Sequence, residues 1–404
     1  MSIESYSPNA TKTENNSVTD ALQSGLITPG PRTRQFEQEL AKWCWTHKVA
    51  CLSSATAALE CALRLLGIGE GDEVITSAYT DAASASVICR VGATPVLLDT
   101  APGSYEMDYQ KLADAITEKT KAIIPLDIAG IMCDYDTLIE QLEAPEVKQR
   151  FTPTLGTLQE LFYRVIIIAD AAYSFGANRV GRPSGSIADF TALGFHPAKN
   201  PTADEGGALT WKQHAGLDNE AFYRKVVMYS LNGQSKGAFS ENQDSACGRD
   251  VAALHYQCNM TDTVAAQGLT QLQQFLPMFS RRRAVLKRYE TELASDKVEF
   301  IQHFTKAGRS NAHLCMVRLL GKDEEFRDRF IEGMASRKVS CNVHYKPLPL
   351  LTEYKDLGFN IEDYPNAYAQ YANEVTLPMH SKMSDEDADY VIEAFKATYE
   401  ELDT

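Results

Sequence analysis

The sequence predicts an α/β protein: a large domain in which helices sandwich a mainly parallel mixed sheet, followed by a smaller α+β C-terminal domain. Three observations lead there. Short aliphatic runs alternate with amphipathic helical stretches over residues 49–170, the rhythm of strand–helix–strand units buried on both faces. A helical stretch over residues 261–294 is long enough to bridge two domains. Beyond it the pattern changes to a mixture of isolated strands and helices.

Residues 1–20 are polar and rich in Asn, Ser and Thr, so a loosely held N-terminal arm is expected there. Residues 21–275 are assigned to the large domain and 276–404 to the small one. Apolar residues at helical spacing run from Thr33 to Lys48; VACLS reads as a strand, and TAALECALRLLG as an amphipathic helix stopped by Gly67. DEVITS, TPVLLD, KAIIPLDIAG and RVIIIAD follow as strands, with helices predicted at AASASVICRVG, DYQKLADAITEK and Leu138–Tyr163. A further buried strand should precede GFHPAKN, and GALTW supplies another. The bridging helix carries Pro277, where a break is expected. The small domain should contain strands at HLCMVRLL and VSCNVHY and a last helix at DEDADYVIEAFKATYEEL.

Composition narrows the function classes. A hydrophobic fraction of 44% and a charged fraction of 23% suit a globular protein with a sizeable core. The net charge of −15 repels polyanions, which argues against general nucleic-acid or acidic-membrane binding while leaving room for one basic pocket. Nine cysteines stand singly, without CxxC pairs or Cys/His metal spacing, so reduced core thiols and no metal centre are expected. The N-terminal residues lack the basic flank and apolar stretch of a signal peptide, and no run approaches a membrane span; a cytoplasmic location is the expectation.

The chemistry concentrates on two residues. Asp170 ends the strand RVIIIAD, and Lys199 lies in FHPAKNPTADEGGAL, on the loop after the next strand. A carboxylate and an amine delivered to the ends of two strands of one sheet suit pyridoxal phosphate: the amine can condense with the aldehyde, while the carboxylate keeps the pyridine nitrogen protonated so that the ring accepts electrons. Asp170 alone also suits a helix N-cap, and Lys199 alone a surface lysine. Ser54, Ala55 and Thr56 form a strand-to-helix turn whose free N–H groups can seat a phosphate, although Ser is equally an ordinary N-cap. His196, His344 and Tyr345 are polar rings at loop or strand ends and are candidate substrate contacts. GIGEGD, residues 67–72, follows a helix and precedes a strand, the reverse of a dinucleotide fingerprint, and is discounted. The run Arg281–Arg283 reads as a solvated helix face.

Taken together, SGLITPGPRTRQFEQELA, VACLSSATAALECALRLLGIGEGDEVITSAYT, DAAYSFGA, FHPAKNPTADEGGAL, CNMTDTVAAQGLTQL and NVHYKPLPLLTEY resemble the DegT/DnrJ/StrS sugar aminotransferases over nearly the whole chain. The resemblance implies the fold type I aminotransferase architecture, pyridoxal phosphate as cofactor, a homodimer with shared active sites, L-glutamate as amino donor and a nucleotide-linked keto-sugar as acceptor. The acceptor expected is a 4-keto-6-deoxy hexose on UDP or dTDP. Lys199 then matches the cofactor-binding lysine, Asp170 the partner of the pyridine nitrogen, and Ser54, Ala55 and Thr56 the phosphate turn. Asn259 falls in a segment that in relatives reaches across the dimer towards the phosphate; by itself it reads equally as a helix-start residue.

Four positions depart from the family pattern. Asp81 stands where relatives stack an aromatic ring on the cofactor, Gly194 where they have a serine, Tyr173 where they have Gln or His, and Ala55 where they have glycine. Loss of the ring and of the hydroxyl each remove on the order of 1 kcal/mol of cofactor binding. Two readings therefore remain open at the level of sequence: an active aminotransferase, and a degenerate member that binds cofactor or sugar nucleotide without turnover. A dehydratase on the same scaffold is disfavoured, since those relatives carry His in place of the lysine.

Overall fold

The computed structural model describes residues 3–4, 12–25, 30–196, 199–203, 205–234 and 251–404. Its large domain is built on seven strands, β1 (Val49–Leu52), β2 (Glu73–Ser77), β3 (Thr94–Leu98), β4 (Thr120–Ile124), β5 (Ile166–Ala171), β6 (Phe190–Gly194) and β7 (Gly207–Trp211). Their order across the sheet is β1-β7-β6-β5-β4-β2-β3, and β7 alone runs against its neighbours. Strands β4 to β7 are buried at every residue, as a sheet covered on both faces requires. The mainly parallel mixed sheet predicted from the strand–helix rhythm is present.

Helices α1 (Lys12–Gln23), α2 (Pro31–Cys44), α3 (Ala55–Leu65), α4 (Ala82–Arg90), α5 (Tyr135–Glu143) and α6 (Asn219–Ser230) belong to this domain, and α7 (Asp262–Leu293) leaves it for the small one. The small domain pairs β8 (Val298–Phe300), β9 (Cys315–Leu319) and β10 (Glu374–Leu377) in one antiparallel sheet, covered by α8 (Glu324–Ser336) and α9 (Asp385–Leu402). A seam of Tyr79, Leu126, Ile128 and Tyr173 against Met316, Leu348 and Tyr371 joins the domains.

Several expectations need correction. The N-terminal residues are held where they are described: α1 packs on α7, with buried Glu14 accepting a 2.9 Å bond from Gln271. Ile3, 4% exposed, sits in the small-domain core and pairs with Val339. The boundary placed at 275/276 falls inside α7, which runs through Pro277 as a single helix. Packing on both domains outweighs the one backbone bond that proline removes. DYQKLADAITEK forms only a 3-10 turn and Leu112–Ala115, and the predicted helix at Leu138–Tyr163 is broken into short pieces, its long helix interrupted before Pro145. VSCNVHY is not a strand; its ladder pairing is limited to the single bridges Ile3–Val339 and Asn342–Thr376 among the described residues. The eight described cysteines are all free, and Cys89 departs from the expected core setting by being exposed.

Candidate active site

The carboxyl ends of β1, β2, β5 and β6 open on one edge of the sheet, where ligands collect in parallel α/β proteins. Each delivers a candidate side chain. At the end of β1, Ser54 caps α3, its hydroxyl accepting a 3.0 Å bond from the Ala57 N–H. The N–H groups of Ala55 and Thr56 have no partner among the described residues and keep the positive end of the α3 dipole open to an anion. Gly207 makes this possible from the neighbouring strand: a Cβ there would lie 2.1 Å from the Ser54 carbonyl carbon and 2.4 Å from the Ala55 nitrogen. Sequence reasoning missed Gly207, whose only signal was the pair Gly206–Gly207 opening a buried strand.

Asp170, at the end of β5, is buried. Its Oδ2 accepts a 2.5 Å bond from the Ser84 hydroxyl and its Oδ1 a 3.2 Å bond from the Ala172 N–H. Burial pushes this carboxyl up, Ser84 and the Ala172 amide oppose the rise by bonding to the charged form, and Lys199 opposes it by charge. Without a cationic ligand the group is therefore held less firmly ionised than the sequence implied. A protonated ring nitrogen placed against it would supply the missing counter-charge.

Lys199, beyond β6, places Nζ 3.1 Å from the centroid of the Tyr173 ring. Burial pulls its amine down to about 8, against the charges of Asp170 and Asp81, which favour the ammonium. An amine at that level reaches its neutral, nucleophilic form near physiological pH. Tyr173 donates to Asp81 Oδ2 at 3.4 Å and accepts a short bond from the Tyr345 hydroxyl. These five residues, Asp81, Asp170, Tyr173, Lys199 and Tyr345, form one cluster.

Two of the four departures from the family pattern, Asp81 and Gly194, have local physical reasons. Asp81 caps α4, accepting a 2.9 Å bond from the Ala83 N–H, a job an aromatic ring cannot do. At Gly194, a Cβ would already press on Ala172 Cβ at 3.1 Å and on Ala172 Cα at 3.2 Å.

His344 joins the cluster, its ring pushed down to about 4 by burial and by the Lys199 charge. His196 does not. Its ring is exposed and lies 3.6 Å from Glu205. Asn259 pairs with Leu52 of its own chain, flanking the strand that leads into the Ser54 turn, and precedes α7 by three positions.

One group escaped the sequence and another departs from its expected setting. His313 is buried with its ring 5.0 Å from that of Tyr173 and its Nδ1 unpartnered; Lys199 and Arg282 help hold it neutral. Arg282, expected on a solvated face, is instead buried and donates to the Ala312 carbonyl at 2.8 Å and to that of His313. Nothing in a run of three arginines tells which one turns inward. Among the described residues there is no cluster able to hold a metal ion and no helix long and apolar enough to cross a membrane.

The residues fit pyridoxal phosphate on structural grounds: unpaired N–H groups for a phosphate, a buried carboxyl for a ring nitrogen, and an amine of depressed basicity that feels that carboxyl's charge. Comparison with known proteins agrees. Residues 8–147 and 159–396 match the model of the DegT/DnrJ/EryC1/StrS aminotransferase family. The spore coat polysaccharide biosynthesis protein SpsC of Bacillus subtilis is 33% identical over 389 residues, 95% of this chain and 94% of that protein. Spr1654 from Streptococcus pneumoniae, designated a sugar aminotransferase and solved in its PLP-form, is 44% identical with a TM-score of 0.95 over the full length of both chains. The aminotransferase TlmJ of Streptoalloteichus hindustanus, 24% identical with a TM-score of 0.85 over the full length of both, shares the fold. This chain belongs to the DegT/DnrJ/EryC1/StrS family of pyridoxal phosphate-dependent sugar aminotransferases.

Proposed function

We propose that the protein moves an amino group from L-glutamate to a nucleotide-linked keto-sugar, a 4-keto-6-deoxy hexose on UDP or dTDP, as a homodimer with shared active sites. The observation that carries the reading is the Lys199 amine, lowered to about 8 by burial, in the same cluster as the buried Asp170. Pyridoxal phosphate supplies an aldehyde that exchanges amino groups and a ring that takes up electrons from the bond broken beside it. The chain's own groups do the rest. At pH 7 roughly a tenth of an amine with this basicity is neutral, enough to form the covalent link. As a free amine, Lys199 Nζ would take the proton from the donor's α-carbon and deliver it on the acceptor side. Asp170, anchored by Ser84 and the Ala172 amide, keeps the ring nitrogen charged. The Ser54–Thr56 turn holds the phosphate, and Tyr173, bonded to Tyr345, presents its hydroxyl beside Asp81.

The reading without turnover was motivated by Asp81 and Gly194, and both are explained by helix capping and by contact with Ala172. Support for a second copy comes from Val251, Leu254 and Tyr256, which expose apolar side chains on the segment leading to Asn259; Leu254 is 97% exposed. Replacing Lys199 by alanine should abolish the visible absorbance of the bound cofactor together with turnover. Retention of both would rule the assignment out.

A further inference from the structure

His344 is clamped at three of its four polar atoms. Its N–H donates to Glu374 Oε2 at 2.8 Å, its carbonyl accepts from the Tyr79 hydroxyl at 2.6 Å, and its ring Nδ1 lies 2.9 Å from Thr376 Oγ1. Thr376 Oγ1 in turn bonds Glu374 Oε1 at 2.6 Å, donating to the ionised carboxylate and accepting from the carboxyl when that is protonated. Only Nε2 has no partner among the described residues, and the ring feels the charges of Lys199 and Asp81. A continuous path of hydrogen bonds thus runs from a fully buried carboxyl to one unspent nitrogen at the reaction site.

We propose that Glu374, acting through Thr376, is the proton store of His344, so that His344 Nε2 gives a proton to the ketone oxygen of the substrate and recovers one from the new nitrogen without becoming charged. The proposal rests on the site reading above and adds two positioning residues and a proton donor to it. Replacing a ketone oxygen by an amine nitrogen expels the oxygen as water, so the oxygen gains two protons and the nitrogen gives up two. The relay carries one at a time. As Nε2–H passes to the oxygen, the Thr376 hydroxyl proton moves to Nδ1 and the Glu374 proton moves to Thr376, leaving a carboxylate. When the nitrogen returns a proton to Nε2, the same shifts run backwards and Glu374 is reloaded.

The ionisation states fit this role. Burial lifts Glu374 to about 8 although Thr376, the His344 amide and the Arg327 charge all favour its ionised form, so it carries its proton at neutral pH. His344, held near 4, stays uncharged beside the Lys199 ammonium. The other titratable groups near Glu374, Tyr79 and Tyr105 from the large domain and Cys315 and Cys341 from the small, are all pushed up and stay neutral there.

The test uses the full-length holoenzyme, with L-glutamate and 2-oxoglutarate as probes. Single-turnover absorbance would follow conversion of the amine form of the cofactor by 2-oxoglutarate, in wild type and in Thr376→Val, Thr376→Ser and Glu374→Gln. Thr376→Val and Glu374→Gln should keep the bound-cofactor spectrum but slow the conversion on the order of a hundredfold, the range for a positioned acid. Thr376→Ser, which keeps the hydroxyl, should restore it, and the double variant should be no slower than either single one. The wild-type rate should lose a component as pH rises through about 8, and Glu374→Gln should lack that component. Thr376→Val at wild-type rate, or an unchanged alkaline limb in Glu374→Gln, would overturn the relay. Wild-type protein that responds to neither probe would instead count against the proposed function, and the relay would fall with it.

Discussion

Gly207 offers a sharp test of how the phosphate turn is built. A methyl group there would sit 2.1 Å from the Ser54 carbonyl carbon and 2.4 Å from the Ala55 nitrogen, both backbone atoms with no rotamer to yield. Ordinary contact needs more than an ångström of extra separation. Strand β7 cannot retreat, because Gly207 is in register with Leu52 on one side and with Gly194 on the other. The turn at the start of α3 must therefore move. Gly207→Ala should cost about 1–3 kcal/mol of stability through overpacking. It should also misalign at least one N–H aimed at the phosphate, and a hydrogen bond to a charged group is worth about 1.5–3 kcal/mol. That converts to roughly a ten- to hundredfold rise in the dissociation constant. Thermal melting of the apoprotein and absorbance titration with pyridoxal phosphate measure the two effects separately. Affinity and melting temperature both equal to wild type would show that the turn does not hold the phosphate and that its packing is looser than the geometry requires.

Two further substitutions address the charges. Ser84→Ala removes a bond that favours ionised Asp170, so the carboxyl should rise further and the acid limb of the rate profile should move to higher pH; an unmoved limb would mean that Asp170 does not govern it. Asp81→Asn keeps a side chain able to cap α4 but removes a charge that favours the Lys199 ammonium, so the lysine should titrate lower. The pH dependence of cofactor capture by the apoprotein should shift downward by a fraction of a unit, and an upward shift would contradict the electrostatics.

The large sheet was legible because strands such as β5, IIIADA, are buried on both faces and so read as unbroken apolar runs. The same rule hid β8 and β10 of the small domain, whose short segments VEF and EVTL carry glutamates and lack a recognisable run. Glu374 is the instructive case: its burial inside a strand follows from Thr376 and the His344 amide satisfying it, partners 2 and 30 residues away in sequence. At the site, Lys199 and Asp170 were visible because strand ends in a parallel sheet converge on one edge. Ser84 was not, since its partner is 86 residues distant and a serine in a helix carries no mark of that contact. His196 is close to Lys199 in sequence, yet its ring is exposed and lies 3.6 Å from Glu205.

Reduction of the cofactor-loaded protein with borohydride, followed by peptide mass mapping, bears most directly on the central assignment, because it fixes the cofactor to whichever amine holds it. The adduct should appear on the peptide containing Lys199 and vanish when L-glutamate is added before the reductant. An adduct on another lysine, or none on a protein that binds pyridoxal phosphate, would contradict the account.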